Sequence, residues 1–433
     1  MAKPKLALIP AAQGSKLFSV LPSSGVGDFD FTRSGSATRI NSQGLIEEVA
    51  NGVSRLNYPM IDGKVVGCPH HILEPSRINL VTYSEDFNES VWSKLNTTIS
   101  SNTTISPDGS LNADSLFETT TNLYHDCLQN RLVSSGVTYT FSCFVKSNGR
   151  DSCYLYTNDG GGKAIKFNVS NGTIIGAVIG TDDGSKITYF GNGWYRVEMQ
   201  VTATSTASKQ FTVSISDNNS ETISAYVGDP SKGIIIYGAQ LEAGSYSTSY
   251  IPTNGEANGV TRSAETANGS GNAATFNDSE GVLMAEISAL ADDSSLRTIT
   301  LGDNSSSNAV SIRLDNPNNI TLYLNSGGAS QCSFAANVPT LLFSKCLIKY
   351  KANDFSAWVN GFQIGTDTNG IVFPSGTLDR INFDIGYTST NPFYGKTKQV
   401  QYYDSALTDS ELEQLTSWTS FTDMAQGQLY TIE

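Results

Sequence analysis

The chain of 433 residues is longer than one ordinary domain and fits two or three. With 39% hydrophobic residues, 16% charged residues and 39 glycines, it can build cores but lacks the Ala/Glu/Lys/Leu blend of long helices, which excludes disorder and helical bundles. A net charge of −14 excludes nucleic acid and anionic membrane surfaces as partners, and no apolar run approaches the ~20 residues that insert across a membrane.

The first eighty residues read as a region of their own. Met1–Pro10 carries basic residues before an apolar stretch that Pro10 stops, too short for a secretion signal. Phe18, Leu21, Phe29, Phe31, Leu45 and Ile46 are scattered among Gly, Ser and Arg without sustained alternation. The expectation is an extended N-terminal attachment segment, residues 1–80, that hides these groups on neighbouring subunits and pairs with their sheet edges.

Period-two alternation follows in residues 81–253, for example Tyr139, Phe141, Cys143 and Val145, then Tyr195, Val197, Met199 and Val201, then Phe211, Val213 and Ile215. Asn171-Gly172 between Phe167-Asn168-Val169 and Thr173-Ile174-Ile175 predicts a hairpin with a type I′ turn. Residues 254–280 hold few large apolar groups and read as a linker. Alternation resumes in residues 281–418, with Leu283, Ala285 and Ile287, then Val310, Ile312 and Leu314, then Ile381, Phe383 and Ile385. Asn360-Gly361 marks a second hairpin, and Thr408-Asp409-Ser410-Glu411 is a capping box that opens one short helix before a tail at 419–433. The fold class is therefore all-β: two β-sandwich domains, jelly-roll or concanavalin-like, preceded by the extended N-terminal segment. Six cysteines without a CxxC pair, and only three histidines, lack zinc-site spacing and read as free thiols buried in strands.

Several blocks resemble a known family. Phe31-Thr32-Arg33-Ser34-Gly35-Ser36-Ala37-Thr38-Arg39, Leu73-Glu74-Pro75-Ser76-Arg77-Ile78-Asn79-Leu80 and Tyr83-Ser84-Glu85-Asp86-Phe87 are similar to blocks near the start of phage tail, head-fibre and receptor-binding structural proteins. Gly193-Trp194-Tyr195-Arg196-Val197 and Gly238-Ala239-Gln240-Leu241-Glu242-Ala243-Gly244 resemble the closing strands of a carbohydrate-binding-module-like jelly roll. Trp358-Val359-Asn360-Gly361 and the segment from Val400 to Leu412 resemble a laminin-G/concanavalin-like domain. The resemblance implies a virion structural appendage, made in the cytoplasm of a host bacterium and displayed on the particle. It would bind host-surface or mucus glycans and join other virion proteins through residues 1–80. A homotrimer is implied because appendages of that family are commonly trimeric. The alternatives are a purely architectural capsid, neck or tail decoration protein without a glycan ligand and, third, a glycan depolymerase.

For catalysis the residues offer little. No G-x-S-x-G elbow exists, and Gly395-Lys396-Thr397 lacks the first glycine of a phosphate loop, because position 390 is Thr390. Glycan hydrolysis needs two carboxylates about 5–10 Å apart, and no strand of the two β-regions carries acids at i and i+2, so the expectation is a protein that is not an enzyme. Sugar binding needs an aromatic face flanked by polar groups. Tyr124, Tyr154 and Tyr156 beside turns are the candidates, with Trp194, whose parity sets it with Arg196 and Glu198 and makes it either a solvent-facing platform or the closure of a sandwich edge. Laminin-G-like domains often hold Ca²⁺. Asp303-Asn304 and Asp315-Asn316 are the candidate ligands, and they read equally as turn pairs.

Overall fold

Alternation beginning near Ser93 becomes two facing six-stranded antiparallel sheets in a computed structural model that describes residues 2–315, 317–388 and 390–427. The first sheet runs in the order 93–95, 125–133, 207–216, 152–157, 163–168, 173–179, and the second in the order 97–105, 111–118, 233–243, 138–148, 194–202, 186–189. Their inner faces interdigitate through Phe141, Cys143, Val197 and Met199 on one side and Cys153, Leu155, Phe167 and Val213 on the other. This is the jelly roll, and every strand of its two sheets comes from one continuous stretch of chain.

The second sandwich is assembled differently. Its larger sheet runs 19–21, 6–8, 395–403, 280–289, 344–351, 355–359, 362–367, and strands 70–73 and 56–57 attach beside strand 395–403. The facing sheet holds 329–337, 319–326, 309–315, 297–302 and 380–382. Helix Asp409–Thr416 closes the outer face of the larger sheet, packing Leu412 with Met284, Leu347, Trp358 and Tyr403. The capping box is formed, with the Thr408 backbone N–H donating to the Glu411 carboxylate at 3.1 Å. Asn360 and Gly361 both have positive φ, 50° and 87°, as a two-residue hairpin loop with Val359 opposite Phe362 requires. At Asn171-Gly172 only the glycine is left-handed (φ 73°), and the loop spans four residues, so this hairpin is not closed by a type I′ turn.

The N-terminal segment is not a free extended stretch but is threaded into the C-terminal sandwich of its own chain. Strand 395–403 would otherwise be a sheet edge with unpaired N–H and C=O groups. Residues 6–8 pair with one half of it (Leu6 opposite Tyr402, Leu8 opposite Val400), and residues 71–73 pair with the other (His71 opposite Thr397, Leu73 opposite Gly395). Leu6, Leu8, Leu17 and Phe29 are fully buried in the core of the C-terminal sandwich, each burial stabilising by about 1.5–3 kcal/mol. Of the scattered apolar residues from which a subunit-wrapping trimer was expected, Phe29, Phe31 and Ile46 are buried on their own chain, while Phe18, Leu21 and Leu45 are half-buried.

Residues 254–280 are not a free connection either. Val260–Arg262 pairs with Arg77–Asn79, and Thr266–Asn268 pairs with Phe29–Thr32. Between them lies a buried ionic network. Glu265 holds Arg33 at 2.8 Å and also Arg55, while Glu74 holds Arg55 and Arg262, each at 2.8 Å. Side chains this deep hold charge only when paired and hydrogen-bonded. Arg55 also donates to the Ser249 hydroxyl at 2.7 Å, and that hydroxyl donates to Glu74 at 2.6 Å, so the network pins the N-terminal segment, the end of the jelly roll and the connecting stretch to one another.

Candidate functional site

On the first jelly-roll sheet, odd-numbered residues such as Cys127, Cys153, Leu155 and Val213 face the core. Their even-numbered neighbours face away, as strand geometry dictates. Register then places these outward residues in rows. Asp126 lies opposite Ser214, Ser214 opposite Tyr154, and Tyr154 opposite Lys166. In the next row Leu128 lies opposite Thr212, Thr212 opposite Tyr156, and Tyr156 opposite Ala164. Tyr124 shares the parity of Asp126, just before the strand starts, and is exposed.

The loop after strand 207–216 folds over this face. The buried Lys166 ammonium anchors it, donating to the Asn218 side-chain oxygen at 3.0 Å and to the Thr222 carbonyl at 2.8 Å. Between loop and sheet lies a cleft of 480 Å³ lined by Tyr124, Asp126, Tyr154, Tyr156, Ile179 and Glu221, among others. That volume lies within the ordinary range for small-ligand sites. Three of the four aromatic residues singled out in the sequence meet here.

Polar groups in the cleft are held in place. Asp126 accepts from the Ser214 hydroxyl at 2.6 Å and from the Tyr154 hydroxyl at 3.3 Å. Burial pushes the Asp126 carboxyl above its ordinary range, and these two hydrogen bonds act against that rise. Burial also raises the Tyr154 phenol, helped by the nearby Asp126 charge. Chemically the cleft offers tyrosine rings to an apolar face, and carboxylate oxygens and hydroxyls to donor groups on a ligand.

Asp126 and Glu221 were not singled out in the sequence. The parity shared by Tyr124 and Asp126, and by Tyr154 and Tyr156, is the signal that would have found the first. Glu221 arrives on the irregular roofing loop, where periodicity carries no information.

Trp194 stands apart from this cleft and is not a platform. It is 2% exposed, donates its indole N–H to the Ile105 carbonyl at 3.1 Å, and packs in a cluster with Ile46, Phe144 and Tyr250. Its face of the sheet does point away from the jelly-roll core, but the N-terminal segment covers it. His125 is buried likewise, its Nδ1 lying 2.7 Å from the Asn96 carbonyl.

The calcium candidates do not form one site. Asp303 accepts from the Ser305 N–H at 2.9 Å and the Asn308 amide at 2.8 Å, which closes a turn, while Asp315 pairs with Arg313 at 2.5 Å. The two aspartates lie at opposite ends of a hairpin whose register runs from Gly302 opposite Ala309 to Arg297 opposite Leu314. Seven residue steps along the strands separate them by roughly 23 Å, too far to share an ion. Asn304 accepts from the Asn382 amide at 2.9 Å, and Asn316 lies outside the described residues. Among the described residues no group of three or more His, Cys, Asp or Glu side chains is arranged to hold a metal.

One comparison with known proteins agrees with the sandwich reading of the C-terminal region. Residues 287–413 match the model of the concanavalin A-like lectin/glucanases superfamily, under a third of the 433-residue chain. No curated protein matches. Among solved structures, the chain is similar to the CBM40 of the Ruminococcus gnavus IT-sialidase bound to α2,3-sialyllactose, at 17% identity and TM-score 0.30, covering 35% of this chain and 94% of that one. It is also similar to domain 4 of the GH43 extracellular arabinanase AbnA of Geobacillus stearothermophilus in complex with arabinotriose, at 14% identity and TM-score 0.30, covering 36% and 73%. The heptameric SAP-like pentraxin of Limulus polyphemus is similar at 13% identity and TM-score 0.28, covering 33% and 72%. The chain is an all-β protein whose C-terminal sandwich has the pattern of a concanavalin-like domain.

Proposed function

We propose that the protein binds glycans, without turning them over, through the tyrosine-lined cleft of its jelly roll. The observation that carries this reading is the gathering of Tyr124, Tyr154 and Tyr156 with Asp126 and Glu221 beneath one anchored loop. A pyranose presents an apolar face that stacks on a tyrosine ring and a rim of hydroxyls that donate to carboxylates. The lining carries two carboxylates, and its neighbouring cation, Lys166, is engaged by the loop, so the reading favours uncharged over acidic sugars. The matched concanavalin-like model, whose description includes lectins, supports the same class of ligand. The resemblance of the Phe31–Arg39 and Leu73–Phe87 blocks to phage structural proteins supports a further reading, that this binding serves a virion surface part in host attachment.

A glycan array probed with the full chain tests the first claim. Retention of uncharged glycans that is lost in Tyr156→Ala supports it. Retention of none, or equal retention by the variant, contradicts it.

A further inference from the structure

A second cavity, of 210 Å³, lies where the N-terminal segment and the two sandwiches meet. Ile40 and Ile72 wall it from the N-terminal segment, Lys186 and Phe190 from the jelly roll, and Leu290 and Lys396 from the C-terminal sandwich. The remaining charged groups that line it are committed elsewhere. Arg39 is paired with Glu47 at 2.7 Å, and Arg196 donates to the Thr248 carbonyl at 2.8 Å. Glu74 is bound by Arg55 and Arg262, and Glu198 accepts from the Ser247 hydroxyl at 2.6 Å.

Lys396 and Lys186 differ. Neither ammonium group has a hydrogen bond or ion pair among the described residues, although Lys186 sits opposite Glu198 in the sheet register. Two ammonium groups from different domains thus share a cavity whose carboxylates, Glu74 and Glu198, are engaged by other donors, in a chain of net charge −14.

We propose that this cavity binds a small oxyanion, a carboxylate or phosphate group, between Lys396 and Lys186. Its volume is below that of ordinary drug-sized sites, so a single small acid fits and a glycan chain does not. Ile40, Ile72 and Phe190 provide an apolar wall for the uncharged part of such a molecule. Burial, with the repulsion of Lys186 added and the Glu74 charge acting against both, holds the Lys396 ammonium down to about 8. A bound anion offsets both costs. Because the two lysines belong to different sandwiches, the ligand ties one to the other.

Thermal melting of the full chain tests this with inorganic phosphate, glucuronate, glucose and sodium chloride, ionic strength being matched throughout. A saturable rise of a few degrees with phosphate or glucuronate is expected, and none with glucose or chloride. Whichever acid acts identifies the preferred head group. Lys396→Met abolishes the rise, and Lys186→Gln weakens the apparent affinity at least fivefold. A rise no larger than that with chloride, or one that survives Lys396→Met, overturns the proposal. Should Lys396→Met fail to fold, Lys186→Gln alters an exposed side chain and carries the test alone, and unchanged affinity in it overturns the proposal equally.

Discussion

The two sandwiches have similar architecture and opposite bookkeeping of sequence. The jelly roll draws both sheets from residues 93–243, whereas the C-terminal sandwich takes four of the nine strands of its larger sheet from residues 6–73. They differ on their outer faces too. The C-terminal sandwich seals one face with helix Asp409–Thr416, while the jelly roll leaves a cleft between its first sheet and a loop. The comparison teaches that an unbroken run of alternation marks strands without marking the limits of a folding unit. Where a central strand would be left as an edge, distant short segments complete it.

The strongest way to break this comparison is truncation. Residues 281–418 expressed alone should lack a cooperative unfolding transition, having lost Leu6, Leu8, Leu17 and Phe29 from the core and both N-terminal partners of strand 395–403. Residues 75–262 should keep near-ultraviolet circular dichroism and a sharp melt. Deleting residues 1–80 from the full chain should accordingly unfold its C-terminal half. A truncated chain that melts as two intact domains would refute the borrowed-strand account.

Next in size is the ionic network that joins the halves. Glu265→Gln leaves the buried Arg33 and Arg55 short of their carboxylate partner and should cost about 3–5 kcal/mol, read as a fall in the urea midpoint. A loss below 1 kcal/mol would mean that the network does not hold the segment in place.

A smaller effect sharpens the comparison by pH. His71 is buried with neither ring nitrogen hydrogen-bonded, and burial holds its imidazole down to about 3, against an ordinary value near 6.5. Between those values the unfolded chain binds the proton and the folded chain does not. The contribution is therefore complete above pH 6.5 and is lost as pH falls, by roughly 1.4 kcal/mol per pH unit. Burial lowers His70 in the same direction, followed by repulsion from Lys396 and Lys398. Urea midpoints at pH 7.5 and 5.5 should show the C-terminal transition weakening more than that of the jelly roll, and His71→Leu should flatten the difference.

The smallest change in stability is expected at the cleft. Tyr124 is exposed, so Tyr124→Ala should shift stability by less than about 0.5 kcal/mol, while one lost stacking contact weakens glycan retention up to about tenfold.

Much of the fold was legible in period-two runs such as Tyr139–Val145 and Leu283–Ile287, and in the capping box at Thr408. Non-local pairings were not, because three-residue strands such as Leu6–Leu8 carry too little alternation to show what they pair with. Trp194 failed for a related reason. Parity gave its face correctly, but whether that face meets water depends on Ile46 and Tyr250, far away in sequence. Tyr154 and Tyr156 were legible as a pair beside a turn, whereas the roofing loop that makes a cleft of their surface depends on Lys166 reaching Thr222.

Hydrogen exchange of the full chain, with and without a saturating glycan selected on the array, tests the central claim most directly. Added protection confined to residues 122–128, 154–157 and 217–225 is the predicted result. Protection confined to the C-terminal sandwich, or none at saturation, would contradict the assignment of the cleft.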